Sequence, residues 1–171
     1  MQIICHRINT LEQLSQLKSS DGAEVDVRYH LDDLILHHDP FQHYANNSLQ
    51  LESFLKSWYC KGPLILNLKS EGIEAKCIDL MTKYNISNWF FLDMSMPFFV
   101  NHSIQSELKS IEGFGPENLA VRFSDFEPID YAIAFKHRVN WAWVDTFQDF
   151  PLSVEKYTEL KEAGFKICLV S

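Results

Sequence analysis

The chain has 171 residues, 46% of them hydrophobic and 22% charged, with a formal net charge of −8. This is the balance of an ordinary globular protein, long enough for a real hydrophobic core, and it favours one domain over 1–171. The acidic charge argues against nonspecific nucleic-acid binding, which draws its affinity from Lys and Arg neutralising phosphates, and no apolar run approaches the roughly 20 residues of a membrane span.

The start, Met1-Gln2-Ile3-Ile4-Cys5-His6, lacks the basic and apolar regions of a secretory signal. Four widely spaced cysteines, Cys5, Cys60, Cys77 and Cys168, form no C-x-x-C pair, and two of them lie in apolar runs where a free thiol packs as a small hydrophobe. An even count leaves a disulfide open, but the expected compartment is cytoplasmic and reducing.

In chain order, short apolar runs predict buried strands over 2–5, 23–27 with an extension at 34–37, 64–68, 89–92, 119–123, 142–144 and 166–170. Helical spacing falls between them. Leu11, Leu14 and Leu17 follow Asn9 or Thr10 as N-cap; Leu51, Phe54, Leu55 and Trp58 mark a second helix, and Ile73, Cys77, Leu80 and Met81 a third. Ser153 opens a last helix through Lys156, Tyr157 and Leu160, with Gly164 as its stop. Strands alternating with helices imply βαβ units and a parallel sheet. The cadence fits an α/β, TIM-type (β/α) barrel better than a doubly wound sheet, since no glycine-rich nucleotide fingerprint is present. Seven strands are counted where such a barrel has eight. The barrel is therefore expected to be incomplete, with a last α/β/α piece outside this sequence, or to close in another way.

The C-terminal ends of parallel strands carry the chemistry of a barrel, and here they are polar. His6-Arg7 ends the first strand. Glu24 and Asp26 sit at i, i+2 on one face of the second, whose extension ends in His37-His38-Asp39; Asn67 and Lys69 repeat that spacing on the third. Later ends offer Asp93, Arg122 with Ser124, and Asp145. Taken singly, each has an ordinary reading as a solvated charge, and His30, His43, His102 and His137 are assigned to surface or core. The coincidence on three successive strands outweighs that reading. Two carboxylates buried side by side repel unless a cation lies between them. Glu24, Asp26 and the Asn67 carbonyl suit a hard ion, Mg²⁺ or Ca²⁺. Arg7 and Lys69 suit a substrate phosphate, and His6 and His38 can exchange protons near neutral pH.

The order His6-Arg7, Asn9-Thr10, Glu24-Val25-Asp26-Val27, His30-Leu31-Asp32, His38-Asp39 and Lys69 resembles the glycerophosphodiester phosphodiesterases, members of the phospholipase-C-like phosphodiesterase barrels. Ala120–Ser124 and Trp143-Val144-Asp145 are similar but less specific. The resemblance implies His6 and His38 as general acid and base, Glu24 and Asp26 as ion ligands, and Arg7, Lys69 and the later Arg122 on the phosphate. It selects His38 over His37, because the family's histidine directly precedes an aspartate. It implies in-line attack on phosphorus with loss of an alcohol, by a substrate hydroxyl or by water, on a small-molecule glycerophosphodiester or related polyol or sugar phosphodiester.

Three departures stand out. Asn67 occupies the place of an acidic metal ligand, so metal affinity is expected to be lower. The loop between His-Arg and Asn-Thr is reduced to Ile8, and the inserted subdomain that helps hold glycerol is missing. Two rival readings follow: a non-catalytic relative that binds a phosphorylated metabolite, and an unrelated metal-dependent barrel enzyme such as an aldolase or isomerase.

Overall fold

A computed structural model describes residues 3–40 and 48–169. His43 and the outer ends of the first and last predicted strands, Gln2 and Val170, lie outside the described residues. The chain forms two compact units that divide between Met94 and Ser95.

The first unit begins with β1 (Ile4–Cys5) and α1 (Leu11–Ser15), followed by the long β2 (Gly22–His30). A two-residue turn, Leu31-Asp32, leads into β3 (Asp33–Leu36), and both turn residues have positive φ, 46° and 70°. That is the geometry whose twist matches a hairpin, so the extension predicted at 34–37 folds back antiparallel on β2. Then come β4 (Leu49–Gln50), α2 (Leu51–Lys56), β5 (Leu64–Leu68), α3 (Glu74–Lys83) and β6 (Trp89–Leu92). The sheet runs β4-β3-β2-β5-β6, with β1 also paired to β2. Ala23 pairs with both Cys5 and Leu64, and Val27 with both Leu36 and Leu68. It follows that β1 and β3 share one edge of β2 in series, and β5 takes the other.

Both faces of β2 and β5 are buried, as a parallel sheet covered on each side requires. Ala23, Val25 and Val27 alternate with Glu24, Asp26 and Arg28, and the register lays Asn67 beside Asp26. One face of the sheet is therefore hydrocarbon throughout, and the other carries the charges.

The second unit holds α4 (Met96–Glu107), a 3-10 turn (Pro116–Asn118), β7 (Ala120–Phe123), α5 (Ile129–Ile133), β8 (Trp141–Val144), α6 (Val154–Glu162) and β9 (Lys166–Leu169). Its three strands form a parallel sheet in sequence order. The caps predicted for α1 and α6 are present. Thr10 accepts from the Gln13 amide in a capping box, Ser153 accepts from Lys156, and Gly164 takes the left-handed φ of 93° just past α6. Helix α4 escapes prediction because its inner face includes polar residues, His102, Ser103 and Ser106. Their side chains bond main-chain carbonyls, Ser106 Oγ donating to Ser103 and Arg138. His102 is the satisfied core residue expected of it. The cysteines are free thiols, three of them buried. No helix among the described residues is long and apolar enough to cross a membrane.

Candidate active site

The polar cluster is built by register. Because β1 pairs parallel with β2 as Ile4 to Gly22 and Cys5 to Ala23, one further step sets His6 beside Glu24, and His6 Nε2 lies 3.6 Å from Glu24 Oε2. Arg7 then turns into the left-handed region (φ 56°), which aims its amide at the same oxygen, 2.7 Å away. A non-glycine residue held at positive φ is uncommon and tends to mark a constrained site. The next amide, of Ile8, donates to the Glu24 carbonyl at 2.8 Å. Asn9 follows along the strand: its Nδ2 donates to Asp26 Oδ2 at 2.8 Å and its Oδ1 accepts from the Asp26 amide at 2.9 Å.

Glu24 and Asp26 are completely buried. Burial pushes the Glu24 carboxyl above the usual range, and the neighbouring Asp26 charge adds to that; the Arg7 amide, His6 and Asn67 pull the other way. Asn67, on the adjacent strand, donates from Nδ2 to Glu24 Oε1 at 2.7 Å. An ionised carboxylate can only accept, so this amide orientation belongs to the deprotonated Glu24. Lys69, two residues on, holds its ammonium 3.7 Å from Asp26 Oδ1 and 3.4 Å from Asp93 Oδ2. The second histidine sits past β3, where His38 Nδ1 meets Asp39 Oδ1 at 2.9 Å. The Asp39 carboxyl is lowered chiefly by that bond, with the charges of His38, His37 and Arg7 adding to it.

His6, the Arg7 amide, Glu24, Asp26, Asn67 and Lys69 thus form one polar network in the first unit, and His38 belongs to the same unit, its carbonyl accepting from Arg28. Arg122 belongs to the second unit, where its Nε is paired with the Glu127 carboxylate at 2.9 Å. Three contributors carry no assigned role from the sequence: Asn9, which matches the family's Asn-Thr and doubles as a possible cap; Asp93, at a strand end; and Arg28. The signal for Arg28 was available, since it continues the Glu24, Asp26 alternation by one more step.

Two buried oxygens in this cluster have no hydrogen-bond partner among the described residues, Asp26 Oδ1 and Asn67 Oδ1, on register-paired residues of adjacent strands. Buried acceptors are rarely left so. With the Glu24 carboxylate they are oxygen ligands of the kind a hard divalent cation takes. Among the described residues no three His, Cys, Asp or Glu side chains form a metal-binding group.

No protein-family model matches the chain, and no curated protein matches it by sequence. Among solved structures it is similar to the crystal structure of a glycerophosphodiester phosphodiesterase from Agrobacterium tumefaciens str. C58, at a TM-score of 0.71 and 15% identity, over 99% of this chain and 86% of that one. The chain therefore has the α/β fold of that enzyme. The resemblance read from the motifs is matched by the path of the backbone.

Proposed function

We propose that the protein is a phosphodiesterase of the glycerophosphodiesterase type, its parallel strands forming a (β/α) barrel with the cluster around Glu24 and Asp26 at the mouth. One observation carries the reading: two fully buried carboxylates share a strand face, an imidazole stands 3.6 Å from one and an ammonium 3.7 Å from the other. A merely structural site would replace such a pair with hydrocarbon, since buried like charges are costly unless compensated.

Glu24, Asp26 and the Asn67 carbonyl would hold Mg²⁺ or Ca²⁺, which supplies charge neutralisation to a substrate phosphate. Arg7 and Lys69 bind the remaining phosphate oxygens, the arginine as a fork and the lysine as a point charge. His38 keeps a proton on Nδ1 toward Asp39, which leaves Nε2 to exchange one with the substrate. His6, whose Nε2 lies 3.6 Å from Glu24 Oε2, acts as the acid toward the leaving alkoxide. The substrate is a small glycerophosphodiester or a related polyol or sugar phosphodiester, and the compartment is cytoplasmic.

A second reading has one observation in its favour. Asn67 stands where a third carboxylate would bring charge, and it spends its amide on Glu24. A site with weaker cation affinity could bind a phosphorylated metabolite without turning it over. Hydrolysis of glycerophosphodiesters and of bis(p-nitrophenyl) phosphate, with Mg²⁺ or Ca²⁺ and then with EDTA, separates the two. Turnover lost both to EDTA and to His6→Ala supports the enzyme. Saturable binding of phosphate esters with no turnover assigns the protein to the binders.

A further inference from the structure

Arg28 is buried to 8% exposure, on the same face of β2 as Glu24 and Asp26. Its guanidinium reaches three main-chain carbonyls on two other segments: Nε donates to His37 at 3.1 Å, Nη2 to His38 at 2.8 Å and Nη1 to Lys69 at 3.1 Å. These residues begin the loop after β3 and directly follow β5. The same two segments are held from the other side by β2 itself, whose Asp26 and Val27 carbonyls accept from the His37 and Lys69 amides at 2.9 Å each.

We infer that Arg28 is a positioning residue for the phosphodiesterase reaction, clamping the main chain at His38 and Lys69 so that the imidazole and the ammonium keep a fixed spacing. The inference rests on the reading above for what those two groups do, and on the three bonds for how they are placed. Burying a guanidinium is expensive, and hydrocarbon of similar volume would fill the space. What the guanidinium supplies is a rigid planar fork with several donors, able to tie two chain segments at once. Lysine keeps the charge but has one nitrogen, which cannot span carbonyls approached from three directions. Because its three bonds here go to main-chain carbonyls, Arg28 sets where His38 and Lys69 start.

The test uses the full chain. Arg28→Lys, folded by circular dichroism and assayed well below its melting temperature, is expected to lose about 10–100-fold in kcat, the scale of a misplacement near 1 Å. Arg28→Ala is expected to regain a large part of its lost rate in ethylguanidinium, which leaves the wild-type rate unchanged. A residue that only stabilises the fold would lower the melting temperature and leave kcat and rescue unmoved. Wild-type-like turnover in a folded Arg28→Lys protein overturns the inference. If Arg28→Ala does not fold, Arg28→Lys decides alone. If the wild type itself turns nothing over, the phosphodiesterase reading fails and the clamp is judged separately, by NMR of the His38 ring and the Lys69 side chain. Displaced signals in Arg28→Lys sustain the clamp; unchanged signals overturn it.

Discussion

Asn9→Ala is the most direct test of how the carboxylate pair is held. Asn9 makes two bonds to one residue, donating to the fully buried Asp26 carboxylate at 2.8 Å and accepting from the Asp26 amide at 2.9 Å. A hydrogen bond to a buried charge contributes about 1.5–3 kcal/mol, and orphaning a buried main-chain donor costs about 1–3 kcal/mol. Water entering the space left by the side chain recovers part of this. The net loss should therefore be roughly 2–4 kcal/mol, which for a chain of this length lowers the melting temperature by roughly 5–15 °C. The control is the adjacent Thr10→Ala, which removes only the cap of the short α1, at about 1 kcal/mol. Thermal unfolding in EDTA reads both. If Asn9→Ala costs no more than Thr10→Ala, Asp26 is not held in the way described and the preorganised pair is refuted.

Asn67→Glu should lower the melting temperature in EDTA, by adding a third buried carboxylate beside Glu24, and enlarge the rise produced by Ca²⁺ or Mg²⁺; an unchanged ion-induced rise would remove Asn67 from the donor set. The Glu24 carboxyl is raised by burial and by Asp26, so the folded chelated protein holds a proton at pH values where the unfolded chain, near 4.5, has released it. Stability in EDTA should accordingly fall as pH climbs from about 4.5 toward neutrality, and Glu24→Gln should flatten that limb in pH-dependent melts. Glu52 behaves oppositely. Hydrogen bonds from Lys83 and Tyr84 lower its carboxyl to about 2, so its contribution is present above 4.5 and is lost as pH falls toward 2. Acid titration of Glu52→Gln should show a shallower low-pH loss than wild type, and identical acid limbs would contradict the pairing.

Most of the sheet was legible because buried parallel strands are continuous apolar runs, and the runs at 64–68 and 89–92 correspond to β5 and β6 to the residue. The caps were legible because Thr10, Ser153 and Gly164 each act through local chemistry. Strand β4 was not, since two residues paired to β3 carry no periodic signal. Nor was α4, whose buried serines satisfy themselves on nearby carbonyls and so hide an inward face behind polar residues. At the site, the positions of Glu24, Asp26, Asn67 and Lys69 followed from period two. What no spacing could convey was the use of Asn9, whose side chain ties Asp26 from 17 residues upstream, or the reach of Arg28 across to Lys69, 41 residues away. Both are long-range bonds that depend on strand register, which the sequence implies only after pairing is known.

The carboxylate pair narrows the chemistry further. Two buried acids at i, i+2 can be relieved by a proton, by a fixed cation or by an exchangeable ion. Glu24 is met by the Arg7 amide, the Asn67 amide and His6, and it is the member whose burial favours a proton. Asp26 Oδ2 is met by Asn9, and Lys69 stands 3.7 Å from Asp26 Oδ1, beyond hydrogen-bond reach and shared with Asp93. Asn67 donates its amide to Glu24, and its carbonyl oxygen, like Asp26 Oδ1, has no hydrogen-bond partner among the described residues. Lys69 is too distant to bond Asp26 Oδ1. In the proposed reading a small, hard cation would meet both oxygens, and asparagine at position 67 still offers it an oxygen.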